Sequence, residues 1–202
     1  MAEAFSQVAC KKVVIKHNVR DTRAQWLAMA TLNANQELDK KVAGASLLHH
    51  RFLQLESVLA RSVQTIEGFD ISHTQGESTI ASAVVCNRNG ACKKLYRTYN
   101  IKTAKAGDDY AAMREVLTRR YSKKTLSELP DIVLVDGGKG QLNVAIEVFT
   151  SLHPTYAGLV GIAKGEGRKA GLETLHLPTG EEISLGGDHA ALHLLNYVRD
   201  ES

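Results

Sequence analysis

The chain has 202 residues, of which 44% are hydrophobic, and a formal net charge of +3 at pH 7. A chain of this length can form a hydrophobic core without stabilisation by disulfides or metal ions. Because the net charge is small, any binding to nucleic acid must depend on local basic patches. Cys10, Cys86 and Cys92 form no CxxC pair, which fits neither a disulfide framework nor a zinc site and favours a reducing cytoplasm. The amino terminus resembles no signal peptide, and no apolar run is long enough to cross a membrane.

The first third of the chain is predicted to be mainly helical. Residues 11–19, with the β-branched run 13–15, could form a short strand. A helix is predicted from Asp21 to about Arg61, where proline is absent and apolar residues recur at helical spacing. We therefore expect residues 1–62 to form a helical lead-in packed on a second domain, residues 63–202.

The hydrophobic period changes from helix to strand near residue 64. Segments 65–72, 79–86 and 93–101 have the composition of strands, and the pair Asn89-Gly90 between the last two is a strong hairpin signal. These three consecutive segments predict an antiparallel meander.

Helices and strands alternate after the meander. The predicted elements are a helix capped at Asp108 or Asp109, a strand ending at Asp136, a helix over 142–149, a strand over 159–163, a hairpin through 175–185, and a helix over 188–199. Three antiparallel strands followed by this alternation are the order of a ribonuclease-H-like α/β fold, a mixed sheet flanked by helices.

Two aspartates lie on predicted strands and are the leading candidates for chemistry. Asp136 ends the apolar run 132–135 and precedes two glycines, and Asp70 lies inside the run 66–73. Carboxylate oxygens suit Mg²⁺, which phosphodiester chemistry uses, and open α/β sheets place such groups at the carboxyl ends of strands. The alternatives are a turn role for Asp70 and a helix-capping role for Asp136.

Other candidates have structural alternatives of similar weight. His193 lies in a nearly all-apolar helix, where it is either a core residue or a ligand and proton carrier. Asp108 and Asp109 are either helix caps or further carboxylates of the cleft. Lys164, Arg168 and Lys169, in a glycine-bearing loop, form either a phosphate-contacting patch or a solvated loop, and Lys139 follows two glycines without the spacing of a Walker A loop.

Five ordered segments of this chain resemble the carboxyl-terminal half of the UvrC family, the excinucleases of bacterial nucleotide excision repair. They are residues 69–78, 107–113, 135–142, 163–165 with 168–174, and 191–193 with 199–202. Residues 20–23 and the helix after them are similar to the region that precedes the nuclease in that family.

The resemblance implies an RNase-H-like endonuclease that makes the 5′ incision beside a DNA lesion in the bacterial cytoplasm. It implies Asp70, Asp136 and His193 as catalytic residues and ligands of Mg²⁺ or Mn²⁺, and Asp109 as a further acidic position with Asp108 as its neighbour. Lys139 and the basic loop would contact DNA. The implied partners are damaged double-stranded DNA and, through the full-length protein, the helicase UvrB.

Full-length members of the family carry further segments that nothing here matches, so we expect this chain to be a fragment. Those segments are a GIY-YIG nuclease, a helicase-binding segment and a tandem helix-hairpin-helix module. Two other interpretations stay open. One is a catalytically silent nucleic-acid- or protein-binding module with the same fold. The other is an actin-like phosphotransferase, for which a single glycine loop is weak support.

Overall fold

The computed structural model describes residues 2–15, 18–73, 79–105, 107–163 and 173–202. The chain divides into two compact units, residues 1–44 and 45–202. Helix α1 (Ala2–Val8) lies in the first unit, and the long helix α2 (Asp21–Leu59) begins in the first and ends in the second. The end of α2 is part of the second unit's core, where Phe52 and Leu55 are fully buried.

The strand predicted over residues 11–19 is wrong for the part of it that the structure describes, 11–15 and 18–19. No neighbouring strand pairs with these residues. The backbone N–H of Val13 instead donates to the Ser6 hydroxyl at 2.9 Å. An apolar and basic pattern does not make a strand where no sheet edge supplies hydrogen bonds.

The second unit is built on one mixed sheet of eight strands among its described residues, flanked by helices. The strands are β1 (Thr65–His73), β2 (Thr79–Asn87), β3 (Gly90–Ala91), β4 (Arg97–Asn100), β5 (Ile132–Asp136), β6 (Leu159–Ala163), β7 (Thr174–His176) and β8 (Glu182–Ser184). The helices that follow α2 are α3 (Asp109–Tyr121), α4 (Lys139–Leu152) and α5 (Ala190–Asp200).

The strand order is β3-β2-β1-β5-β6-β7-β8, with β4 also paired to β2. Strands β1, β5 and β6 are parallel to one another, whereas the other pairs are antiparallel. An antiparallel meander joined to parallel strands is the predicted ribonuclease-H-like arrangement, which is therefore confirmed.

The third strand of the meander is interrupted, contrary to the prediction of one strand over 93–101. A single 3₁₀ turn at Lys93–Leu95 separates β3 from β4. The turn begins where the Cys92 N–H donates to Val85 O at 2.7 Å, and it closes with a bond from Leu95 N–H to Cys92 O at 2.8 Å. The edge of the sheet therefore carries two short strands in place of one long strand.

Each face of the sheet buries its own apolar core, because side chains alternate along a strand. Ile66 and Leu134 belong to the core shared with α5 and the end of α2. Phe69 and Val135 belong to the core shared with α3 and α4. The side of any strand residue can therefore be read from its position relative to these four.

The carboxylate of Glu115 binds the chain just after β4, at Lys102 and Thr103. It accepts hydrogen bonds from the Lys102 and Thr103 N–H groups, the Thr103 hydroxyl and Arg119, at 2.7–3.1 Å. Burial acts to raise the pKa of Glu115, but the bonds from Thr103, Lys102 and Arg119 outweigh it and hold the pKa at about 2, below the usual 4.5.

Acid should remove the stabilisation that Glu115 contributes. A carboxylate whose folded-state pKa is depressed stabilises the fold above its unfolded pKa, and this contribution is lost as pH falls through the folded pKa, here between 4.5 and about 2. Glu115→Gln should cost about 1.5–3 kcal/mol in the free energy of unfolding at pH 7, the range for charge-assisted hydrogen bonds. Urea unfolding should show this difference vanishing near pH 2, and an equal difference at every pH would contradict it.

None of the helices in the described part of the chain is long and apolar enough to cross a membrane. All three cysteines are free.

Candidate active site

Asp70 and Asp136 lie side by side at the carboxyl ends of two neighbouring parallel strands. The paired positions of β1 and β5 end at Phe69 and Val135, and each aspartate is the next residue on its strand. Strands in a sheet are about 4.8 Å apart, so the two carboxylates start from adjacent backbone positions. Both side chains are partly exposed.

Both aspartates point to the face of the sheet covered by α5. Asp70 shares its face with Gly68, where a Cβ would lie 2.7 Å from Val198 Cγ1 on α5. Asp136 shares its face with Leu134, which belongs to the same core as α5. Alternation along the two strands therefore brings the carboxylates together on one side of the sheet.

Ser72 holds the Asp70 carboxylate in place. Its hydroxyl donates to Asp70 Oδ2 at 2.8 Å, across the two-residue spacing that puts both side chains on one face. This bond restricts the rotation of the carboxylate about its side-chain bonds. In this arrangement, Asp70 and Asp136 offer the oxygen donors that Mg²⁺ and Mn²⁺ prefer.

Glycines 137 and 140 shape the turn that follows Asp136. Gly137 has a φ of +149°, in the region that favours glycine, and a Cβ there would collide with the Gln141 side chain. A Cβ at Gly140 would collide with the hydroxyl end of Tyr110 from the start of α3. The glycines therefore let α4 begin directly after the carboxylate and let α3 pack close to its first turn.

The structure does not bring His193 to the two aspartates. The side of α5 formed by Ala191, Leu194, Leu195 and Val198 is buried, whereas His193 lies on the opposite side and is exposed. Across the described ranges, no group of three His, Cys, Asp or Glu side chains is placed to hold a metal ion. The interpretation of His193 as a core residue is wrong, and its role as a ligand stays a prediction that this geometry does not support.

We expect His193→Ala to leave both stability and incision close to those of the unsubstituted chain. An exposed side chain away from the carboxylates contributes to neither the core nor the site, and such substitutions usually change the free energy of unfolding by less than about 0.5 kcal/mol. Melting temperature and DNA incision measured on the same preparation test this. Lost incision at an unchanged melting temperature would restore His193 to the site.

Asp108 and Asp109 have separate roles, which the sequence left open. The Asp108 carboxylate accepts the Ala111 N–H at 2.9 Å and is the N-cap of α3. Asp109 Oδ1 lies 2.6 Å from His73 Nε2, at the end of β1. Sequence reasoning did not single out His73, although it lies three residues after Asp70 in the same segment.

Of the basic residues predicted to contact DNA, only Lys139 is among the described residues. Lys139 begins α4, and its ammonium lies 2.5 Å from Glu182 Oε1 on β8. This ion pair lowers the pKa of Glu182 through a hydrogen bond from Lys139. Lys164, Arg168 and Lys169 lie outside the described residues.

Comparison with known proteins places this site in a family. The model of the UvrC RNase H endonuclease domain matches residues 54–202, nearly three quarters of the chain. The chain belongs to this family. The UvrC domain thus includes all of β1 to β8, both strand-borne aspartates and the His73–Asp109 pair.

Curated relatives of the UvrC domain carry the same family name. UvrABC system protein C of Acinetobacter baylyi is 53% identical over 95% of this chain, and that of Acinetobacter baumannii is 51% identical over 100% of it. The chain covers 31% and 33% of these two relatives, about a third of their length. Among solved structures, human ENDOV aligns with a TM-score of 0.42 and 14% identity over 81% of this chain and 94% of its own.

Proposed function

We propose that this chain is the divalent-metal-dependent endonuclease domain that makes the 5′ incision beside a lesion in bacterial nucleotide excision repair. The observation that carries the proposal is the pair Asp70 and Asp136, adjacent on parallel strands and turned to one face. Membership of the UvrC domain family supplies the reaction class, and the relatives named UvrABC system protein C supply the repair setting.

Asp70 and Asp136 would hold the ion, either Mg²⁺ or Mn²⁺. When bound, such an ion supplies charge stabilisation for the phosphate and lowers the pKa of a water nucleophile. The chain's own contribution is to orient the ligands. Ser72 fixes the Asp70 carboxylate by its hydrogen bond, and the Gly137 turn fixes the position of Asp136 before α4 begins.

The substrate of this proposal is damaged double-stranded DNA, presented by UvrB in the full-length protein. Lys139 is a candidate contact to the DNA backbone, although a phosphate would have to compete with Glu182 for its ammonium group. Its 66% exposed side chain leaves it accessible to such a partner.

Removing divalent metal should abolish incision, and Mn²⁺ or Mg²⁺ should restore it. The assay uses a UvrABC system protein C that carries this chain as its corresponding third, with UvrB and a duplex containing one defined lesion. EDTA should remove the 5′ cut, and titration with each ion should identify the more effective one. A 5′ cut that persists in EDTA would contradict the proposal, and a chain that binds DNA without any cut would favour the silent binding module.

A further inference from the structure

The imidazole of His73 joins three elements at the edge of the sheet that carries the aspartates. Its Nδ1 lies 3.1 Å from the Thr79 hydroxyl on β2, and its Nε2 lies 2.6 Å from Asp109 Oδ1 at the first residue of α3. His73 and Thr79 are also register partners in the antiparallel pair of β1 and β2. One side chain therefore ties the end of β1 to both β2 and α3.

The two contacts hold the ring in one orientation. An ionised carboxylate only accepts hydrogen bonds, so Nε2 carries the proton that is shared with Asp109. Nδ1 faces the Thr79 hydroxyl, which can both donate and accept, so this bond forms whether or not Nδ1 carries a proton. The carboxylate thus orients the ring edge that contacts β2.

Asp109 approaches β1 from the face opposite that of Asp70. His73 and Asp70 are three residues apart on β1, so their side chains point to opposite faces, and the helix that carries Asp109 packs on the core that contains Phe69. Asp109 is therefore linked to the Asp70 carboxylate indirectly, through His73 and the backbone of β1. Ser72, which precedes His73 on this strand, donates to Asp70.

We propose that His73 and Asp109 form a positioning pair that fixes the end of β1 and thereby the carboxylate of Asp70, so that Asp109 is not itself a metal ligand. This inference rests on the proposed function, which makes Asp70 a ligand. Removing a group that orients a metal ligand through hydrogen bonds typically weakens metal binding about 10- to 100-fold.

Mn²⁺ binding to this chain, measured by titration calorimetry without DNA, tests the pair directly. His73→Ala and Asp109→Ala should each weaken Mn²⁺ binding about 10- to 100-fold. Because both substitutions break the same contact, the double variant should bind Mn²⁺ no more weakly than whichever single variant has the lower affinity. Circular dichroism and melting temperature on each preparation restrict the comparison to folded protein.

Asp109→Asn separates a positioning role from a ligand role. The amide oxygen can still accept a hydrogen bond from Nε2–H, so a positioning role predicts Mn²⁺ affinity within about threefold of that of the unsubstituted chain. If Asp109 were a ligand, losing its charge should instead cost as much as Asp109→Ala. Asp108→Asn is the matched control, because asparagine caps helices as well as aspartate and the change removes one neighbouring charge.

Three results would overturn the inference. They are an Asp109→Asn defect as large as that of Asp109→Ala, additive losses in the double variant, and unchanged Mn²⁺ affinity in both alanine variants. The first two results would indicate that Asp109 is a ligand. The third would limit the pair to holding β1 against β2 and α3. Asp70→Asn measured in parallel distinguishes a failed function, since Mn²⁺ binding that survives this substitution contradicts the metal site itself.

Discussion

Asp70→Asn and Asp136→Asn should each abolish the 5′ incision while leaving the fold intact. Each substitution removes one carboxylate charge from the site and changes little volume. A bound metal ion contributes several kcal/mol to phosphoryl chemistry, and each 1.36 kcal/mol is tenfold in rate, so we expect losses of about a thousandfold or more. The measurement is single-turnover incision of a lesion-containing duplex by a UvrABC system protein C that carries the substituted chain.

The 3′ incision of the same molecules is the internal control and should be unchanged, because the resemblance to the UvrC family implies that the GIY-YIG nuclease of the full-length protein makes that cut. Asp200→Asn is the matched charge control, since Asp200 has a 75% exposed side chain on the last turn of α5. A 5′ cut that persists at near-normal rate in either strand variant would contradict the metal-site assignment. Loss of both cuts would indicate a folding or assembly defect.

The sequence predicted the sheet and the strand positions of Asp70 and Asp136 well, because local pattern and burial agree there. The apolar runs that end at Asp136 and surround Asp70 identify strands. Because parallel strands run in one direction, their carboxyl ends lie at the same edge of the sheet. The meander followed from the Asn89-Gly90 turn. These features depend on periods of two residues and on turn chemistry, both of which are local.

The errors arose where the outcome depends on a distant partner. Residues 11–15 have a strand-like composition but no sheet edge to pair with. The break between β3 and β4 depends on how Cys92 bonds to Val85, which no window of sequence reveals. His193 lies on an apolar helix, but the buried side of that helix is set by the sheet that α5 packs on.

The pairing of side chains from separate elements was equally invisible in the sequence. Asp109 could be weighed as a cap or a catalytic acid, but only the fold brings His73 to it from 36 residues away. Lys139 likewise looked free to bind phosphate, whereas the hairpin of β7 and β8 supplies Glu182 to it. Spacing identifies which residues carry chemistry, and the fold decides what they touch.

A buried ion pair on the opposite face of β1 stabilises the strand that carries Asp70. Glu67 is 2% exposed, accepts the Tyr121 hydroxyl at 2.6 Å, and has the Arg120 guanidinium 2.6 Å from its other oxygen. Burial and the charge of Glu67 raise the pKa of Tyr121 well above its usual range, so its hydroxyl remains a donor.

Arg120→Met should therefore destabilise the chain strongly. It leaves the Glu67 carboxylate buried without its counter-charge, and breaking a buried ion pair from one side costs about 3–5 kcal/mol. For a chain of this size, 1 kcal/mol shifts the melting temperature by roughly 2–4 °C, so a fall of about 6–20 °C is expected. Adding Glu67→Gln to Arg120→Met removes the orphaned charge, keeps an acceptor for Tyr121 and should recover most of the loss. Equal melting temperatures for the single and double variants would show that the cost of Arg120→Met comes from lost packing and not from an unpaired charge.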